Sequence, residues 1–201
     1  MALQDISQSY TDDLSPLAQD LLKLGVETAY ARLVVRGGGG GNAEAKRLLD
    51  GATGDRMIRG EVRSGDDARA MLAGVWLYHD WLDASHEISQ GLHSETGSFW
   101  HAIMHRREGD FSNGKYWYAR CRRHPVLNSM GPAVSAVLNP LPADKSLLRL
   151  VNPRWDADAF VDLVEAVHDD PRDPRHAVAV SLQQVEWRLL FDHCTRAAAG
   201  K

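Results

Sequence analysis

The sequence predicts a mainly α-helical protein, a helical bundle of about six to eight helices with little or no sheet. Three observations carry this. Apolar residues recur at helical spacing, as Phe160, Leu163, Val164 and Val167 do, and again Val178, Leu182, Val185 and Leu189. Helix-opening pairs recur along the chain, among them Ser15-Pro16 and Asp173-Pro174. No alternating apolar and polar run is long enough to build a sheet.

The elements follow in order. Residues 1–13 read as a mobile polar end, and 14–201 as one helical domain. Ser15-Pro16 opens a first helix that Gly25 closes, and 26–36 is either helical or extended, since Val34 and Val35 are β-branched. Residues 37–41 are five consecutive glycines. A phosphate-cradling loop would follow them with Lys and then Ser or Thr; Asn42-Ala43 follow instead, so the tract reads as a flexible loop. A short helix is expected over 43–49 and a loop over 50–65.

Ser64-Gly65-Asp66-Asp67 then starts one long helix over 67–90, stopped by Gly91. Gly74 inside it costs about 1 kcal/mol against alanine, so tertiary packing must hold that turn. A second helix covers 98–108, a turn 109–114, and a third helical stretch 115–124, which Pro125 stops. Pro132, Pro140 and Pro142 leave room for one short helix near 133–138, and 147–151 reads as brief and extended. Asn152-Pro153 opens a further helix, and Asp173-Pro174 the last, ending near Ala199.

Composition narrows the classes. The chain has 201 residues, 44% hydrophobic and 25% charged, which excludes collagen, a disordered tail and a coiled-coil rod. A net charge of −4 excludes a globally basic nucleic-acid coat. Cys121 and Cys194 form neither a disulfide framework nor a CxxC pair. The polar, acidic start MALQDISQSYTDD is no secretory signal, and the longest stretch free of charged residues, 125–143, holds four prolines and is no membrane span. A cytoplasmic protein with reduced thiols is the expectation.

Chemistry is expected in one window. Five of nine histidines fall between His79 and His105, and nine of fifteen aromatics between Trp76 and Tyr118. On a continuous helix over 67–90, His79, Asp80, Asp83, His86, Glu87 and Gln90 share an arc of about 120°. From Ala70 to His105 there is no Lys or Arg, whereas a solvated helix face usually mixes both signs. Imidazole, carboxylate and amide are the groups for divalent-metal binding or for proton transfer near neutral pH.

The next helix presents His101, His105 and Glu108 at i, i+4 and i+7. His101 and His105 are one turn apart and both reach one ion, whereas His79 and His86 lie about 10 Å apart along an axis. An antiparallel hairpin turning near Ser94 sets His86 level with 101–105, Asp83 near Arg106 and His79 near Asp110. The expected metal set is therefore His86, His101 and His105 for zinc, iron or manganese, with Asp83 or Glu87 as fourth ligand or orienting group. His79, held by Asp83, is a separate acid-base or structural group. A purely structural network, with the histidines satisfied by carboxylates and backbone, is the competing account. His79-Asp80 also matches the adjacent His-Asp pair of HD-type phosphohydrolases, but no histidine precedes position 79 to supply their upstream ligand.

Arg106, Arg107, Lys115, Arg120, Arg122 and Arg123 interleave with Phe111, Tyr116, Trp117 and Tyr118. Arginine forks suit carboxylate or phosphate and aromatic faces stack on rings, so this stretch suits an anionic small molecule, single-stranded RNA, or plain pairing with the chain's acids. With no second basic cluster, nucleic acid is the weakest of these. Gln184, Glu186 and His193 on the last helix read as a solvated face.

The block Gly97-Ser98-Phe99-Trp100-His101-Ala102-Ile103-Met104-His105-Arg106-Arg107-Glu108-Gly109-Asp110-Phe111-Ser112-Asn113-Gly114-Lys115-Tyr116-Trp117 resembles one in a family of uncharacterised microbial proteins, and His79-Asp80-Trp81-Leu82-Asp83-Ala84-Ser85-His86 resembles its companion. The likeness covers about 76–125, with a fainter echo at Glu186-Trp187, and implies no activity, cofactor or functional residue.

The expected function is a His/carboxylate pocket that binds a small anionic or polyhydroxylated molecule, with acid-base or metal-dependent catalysis as its enzymatic form. His79, Asp83, His86 and His101 are the candidate catalytic groups; Trp100, Arg106, Arg107, Glu108, Asn113, Lys115 and Trp117 the candidate ligand contacts. The alternative is a non-catalytic binding or protein-interaction module using 106–123, which requires Trp117 and Tyr118 at the surface. A small-molecule partner is expected, nucleic acid and membrane are not, and a homo-oligomer stays open.

Overall fold

A computed structural model describes residues 12–37, 40–139, 144–151 and 154–201. Among them are ten α-helices: α1 (Pro16–Lys23), α2 (Ala43–Leu49), α3 (Gly65–Tyr78), α4 (Leu82–Gln90), α5 (Glu95–Glu108), α6 (Phe111–Arg120), α7 (Pro125–Val137), α8 (Lys145–Arg149), α9 (Ala157–Val167) and α10 (Pro174–Ala199). A 3₁₀ turn covers Gly54–Met57. The described residues form no sheet, only an isolated bridge between Leu14 and Ile58. The mainly helical expectation holds, and the expected count of six to eight is low. No described helix is long and apolar enough to cross a membrane. The readings at 1–11, at glycines 38 and 39, at Pro140 and Pro142, and at Asn152-Pro153 fall outside the described residues.

Side-chain caps set most helix starts. Ser15, Asn42, Ser64, Ser94, Asp110, Asp144, Asp156 and Asp173 each accept a hydrogen bond from a backbone N–H of the first turn. Three expectations are corrected by such caps. Ser112-Asn113-Gly114 is no turn: Asp110 caps a helix that already starts at Phe111. Pro125 opens a helix instead of only ending one, because His124 caps it and the missing proline N–H is not needed in a first turn. Residues 147–149 are helical, started by Asp144.

The expected helix over 67–90 is two helices. His79, Asp80 and Trp81 separate α3 from α4, and Asp80 takes a left-handed backbone with φ 63°. Asp tolerates that conformation better than most residues. Here its carboxylate is also claimed from two sides, by Arg107 at 2.6 Å and by Arg32 at 2.6 Å. The glycine tract seals the break. A Cβ on Gly41 would stand 1.7 Å from the His79 carbonyl oxygen, so only glycine fits there. Trp81 then donates its indole N–H to the Asn42 carbonyl at 3.0 Å.

Two apolar clusters share α10. Trp187, Leu190, Phe191 and Cys194 join α1, α3 and α5, while Ala179, Leu182 and Val185 join α7, α8 and α9. Gly74 explains itself at this junction. A Cβ there would meet the Trp100 ring at 2.7 Å, and its carbonyl accepts the Trp187 indole N–H at 2.8 Å. The propensity lost at Gly74 is the condition for seating Trp100 in the core.

Candidate functional site: a three-histidine centre

α4 and α5 bring His86, His101 and His105 together. Their ligand nitrogens all lie within 4.8 Å of one another. Ring centroids are 4.7 Å apart for His86 and His101, 5.3 Å for His86 and His105, and 4.6 Å for His101 and His105, which stack. The reason is local: the one-turn spacing of His101 and His105 puts both on one face of α5, and α4 folds back across that face. Nitrogens bound tetrahedrally to one ion stand about 3.4 Å apart at ordinary zinc–nitrogen distances, so a small adjustment of these rings closes the set.

His101 has an exceptional environment. It is 3% exposed, and neither ring nitrogen has a hydrogen-bond partner. Trp117 stacks on it at 4.0 Å, and His105 lies over its other neighbourhood at 4.6 Å. Burial, together with His105 and His86, holds its pKa down at about 3. It is a neutral ring with two lone-pair or N–H positions that nothing in the protein satisfies. Burial and His105 also lower His86, against Glu108 and Asp83, which raise it.

His105 is oriented from its far side. Its Nδ1 lies 2.5 Å from the Glu108 carboxylate, which makes Nδ1 the protonated nitrogen and leaves the Nε2 lone pair for a ligand role. The Asn113 amide nitrogen lies 3.0 Å from that Nε2 and is the group a metal would displace. Glu108 and Asp110 also form a ligand-capable group with His105, both carboxylates exposed.

Other expected site residues lie elsewhere. His79 is not held by Asp83 and does not approach Asp110. The α3–α4 break turns it toward α1, where Nε2 donates to the Leu21 carbonyl at 2.9 Å. Asp83 is exposed in the first turn of α4 and is electrostatically felt by His86; Glu87 is exposed, and neither carboxylate joins the histidine set. Trp100 is fully buried in the core.

Arg106 and Arg107, expected at the rim, have no exposed surface. Arg106 meets Glu186 of α10 at 2.6 Å and donates to the Tyr118 hydroxyl at 2.5 Å, and Tyr118 donates in turn to Glu186 at 2.7 Å. Burial works against the Arg106 charge, but Glu186 beside it overrides this and raises the guanidinium pKa. Arg107 caps the end of α3 by donating to the Leu77 carbonyl at 2.7 Å, pairs with Asp80, and lies over Tyr30 at 4.1 Å. Asp83 therefore does not meet Arg106. Lys115 pairs with Asp162 of α9.

Sequence reasoning missed Glu186, which is no solvated residue: it is fully buried. The signal was present, since Glu186 stands at i+4 from Leu182 inside the apolar stripe. Of the two residues the interaction-module alternative places at the surface, Tyr118 is 2% exposed and Trp117 half-buried. A cavity of about 850 Å³ lies among Tyr118, Arg122, Leu127 and Trp155 and shares no residue with the histidine centre.

Two buried histidines outside the centre make acid stability predictable. Burial holds His79 and His124 at about 4, against an ordinary 6.5. His124 is locked as a neutral tautomer: Nδ1 accepts from Val126 N–H at 3.3 Å, and Nε2 faces the Thr96 hydroxyl at 3.2 Å. Between pH 6.5 and 4 the unfolded chain therefore binds protons at these rings that the folded chain does not. Their contribution to stability is full above pH 6.5 and is lost as pH falls through 4. Urea midpoints measured across that window should fall with pH, and His124→Gln should flatten the slope; a midpoint constant over the window contradicts the burial of both rings.

The chain matches no family model, no curated protein and no solved structure.

Proposed function

We propose that this protein binds a divalent transition metal through His86, His101 and His105 and uses it to activate water against a small polar molecule. The observation that carries this is His101: a buried imidazole with both nitrogens unpartnered, between two other histidines. A structural histidine is normally satisfied by hydrogen-bond partners, as His79 is by the Leu21 carbonyl and His124 by the Thr96 hydroxyl. A set of three histidines is the ligand set of catalytic rather than structural zinc. A divalent ion held by these three rings would supply Lewis-acid activation of water.

The protein's own groups have defined parts in this reading. His86, His101 and His105 hold the ion. Glu108 fixes the His105 tautomer, Trp117 covers His101, and Asn113 stands beside His105 Nε2. Glu108 is the carboxylate that acts most on His86, with Asp83 after it.

Elemental analysis of the purified protein, followed by dialysis against chelator and readdition, tests it. Zinc, iron or manganese at one equivalent per chain is expected. Glu108→Gln should weaken the metal by about 10–100-fold while leaving the metal-free fold unchanged, since removal of a carboxylate that orients a liganding histidine has effects of that size. No bound metal, and no uptake on readdition, overturns the reading.

A further inference from the structure

We infer that Asn113 is the fourth ligand of the histidine centre, its side-chain carbonyl oxygen joining the nitrogens of His86, His101 and His105; this rests on the metal-centred reading above. The observation behind it is where α6 carries that amide. The Asn113 side-chain nitrogen stands 3.0 Å from His105 Nε2 and 3.3 Å from Nδ1. Among the described residues the amide has no other hydrogen-bond partner.

Local features fix that placement. Gly109 closes α5 in a left-handed conformation with φ 92°, and Asp110 starts α6 at once by accepting the Asn113 backbone N–H at 3.1 Å. Gly114 then lets the two helices touch. A Cβ there would stand 3.3 Å from the Arg106 backbone nitrogen and 3.5 Å from the Ala102 carbonyl oxygen. Asn113 and Trp117 are four residues apart and share a face of α6. Trp117 stacks on His101 at 4.0 Å, and Asn113 meets His105 one turn away.

The carboxylates do not take this place. Glu108 is engaged with the other nitrogen of His105, 2.5 Å from Nδ1. Asp83 and Glu87 lie outside the three-histidine set. An amide carries donors at one end of its plane and an acceptor at the other, so turning it over exchanges nitrogen for oxygen beside Nε2. In the metal-free protein the Asn113 N–H faces the Nε2 lone pair. An ion on Nε2 takes that lone pair and displaces the nitrogen, and the carbonyl oxygen then has a cation to meet. Ligand atoms on one tetrahedral ion stand about 3.4 Å apart, close to the 3.0 Å separation here.

Three imidazoles and one amide oxygen form a set with no charge of its own. The ion keeps both positive charges, which suits the Lewis-acid role proposed for it.

The zinc affinity of the full chain, measured by competition with a chromogenic chelator, separates a ligand from a blocking group by sign. Asn113→Ala should weaken zinc by about tenfold or more, at least the loss caused by removing a group that only orients a ligand. The α6 cap survives this change, because Asp110 holds the backbone N–H of residue 113 and not its side chain. Asn113→Asp should tighten zinc by about tenfold, since a charged oxygen replaces a neutral one at a dication. A second readout does not depend on affinity. In the cobalt(II)-loaded chain with isotope-labelled asparagine, the side-chain amide resonance that Asn113→Ala removes should carry a contact shift, which passes only through a bond to the ion. Zinc bound more tightly by Asn113→Ala, zinc affinity indifferent to both substitutions, or an amide shifted by dipolar effects alone overturns the inference and leaves the three-histidine site standing. A wild-type chain that takes up neither zinc nor cobalt removes the metal reading itself, and this inference with it.

Discussion

Replacing His101 with Phe should make the metal-free protein more stable, by about 1–2 kcal/mol, and abolish its affinity for a divalent ion. The two effects come from one fact. His101 holds two polar nitrogens in a site 3% exposed with no partner for either, so the folded metal-free chain carries their desolvation uncompensated. A phenyl ring takes the same place between Trp117 at 4.0 Å and the His105 ring at 4.6 Å without that penalty. The metal reverses the account, because it turns an unsatisfied imidazole into a ligand.

The opposite signs are diagnostic. A histidine retained for structure loses stability when replaced; one retained for a metal gains it in the metal-free state. Urea midpoints of the chelator-treated wild type and H101F, beside competition titrations with a chromogenic chelator, measure both. A metal-free H101F several kcal/mol weaker than wild type makes His101 a structural residue.

Breaking the Arg106–Glu186 pair should cost about 3–5 kcal/mol, a large part of the stability of a chain this size. Both side chains are fully buried. Arg106→Met would leave the Glu186 carboxylate buried beside Tyr118 with no cation, and Glu186→Leu would strand the guanidinium over the Phe160 ring. The double variant Arg106→Met/Glu186→Leu should recover most of the loss, since paired apolar replacement removes both desolvation penalties. Lower urea midpoints with unchanged slopes in the singles, and recovery in the double, are the expected pattern. A double variant as weak as either single would show that packing around the pair, not its charge, carries the energy.

These two buried features sit on adjacent turns of α5 and have contrasting physics. His101 is a neutral polar group with a partner for neither nitrogen, and Arg106 is a charge that meets Glu186 and Tyr118 through Nη1 while its Nε and Nη2 go unpartnered. The first points outward, to a ligand the chain lacks. The second points inward, tying α5 and α6 to α10. Arg107 ties α5 in the same manner to the α3–α4 break and to the 30–32 loop.

Much of the fold was legible along the chain. Ser15-Pro16, Asn42, Ser64 and Asp173-Pro174 mark helix starts where they occur, because capping is a bond between a side chain and a backbone N–H a few residues away. The clustering of histidines was equally local, and the one-turn spacing of His101 and His105 sets them on one face of whatever helix contains them. Absence of Lys and Arg from Ala70 to His105 marked the same window.

Tertiary structure decided the rest, since those choices depend on partners far along the chain. Periodicity favours one helix across 67–90. Asp80 ends it in a left-handed turn because Arg107 and Arg32 reach its carboxylate from 27 and 48 residues away. Arg106 and Arg107 read as rim cations by composition, yet are the best-buried charges of the helix, because Glu186 and Asp80 arrive to meet them. His79 leaves the histidine set for the same reason, turned by that break toward Leu21. A sequence determines which groups share a helix face, since that follows from 3.6 residues per turn. Which of those faces meets a counter-charge, and which meets only other histidines, is decided by the packing of helices distant in sequence.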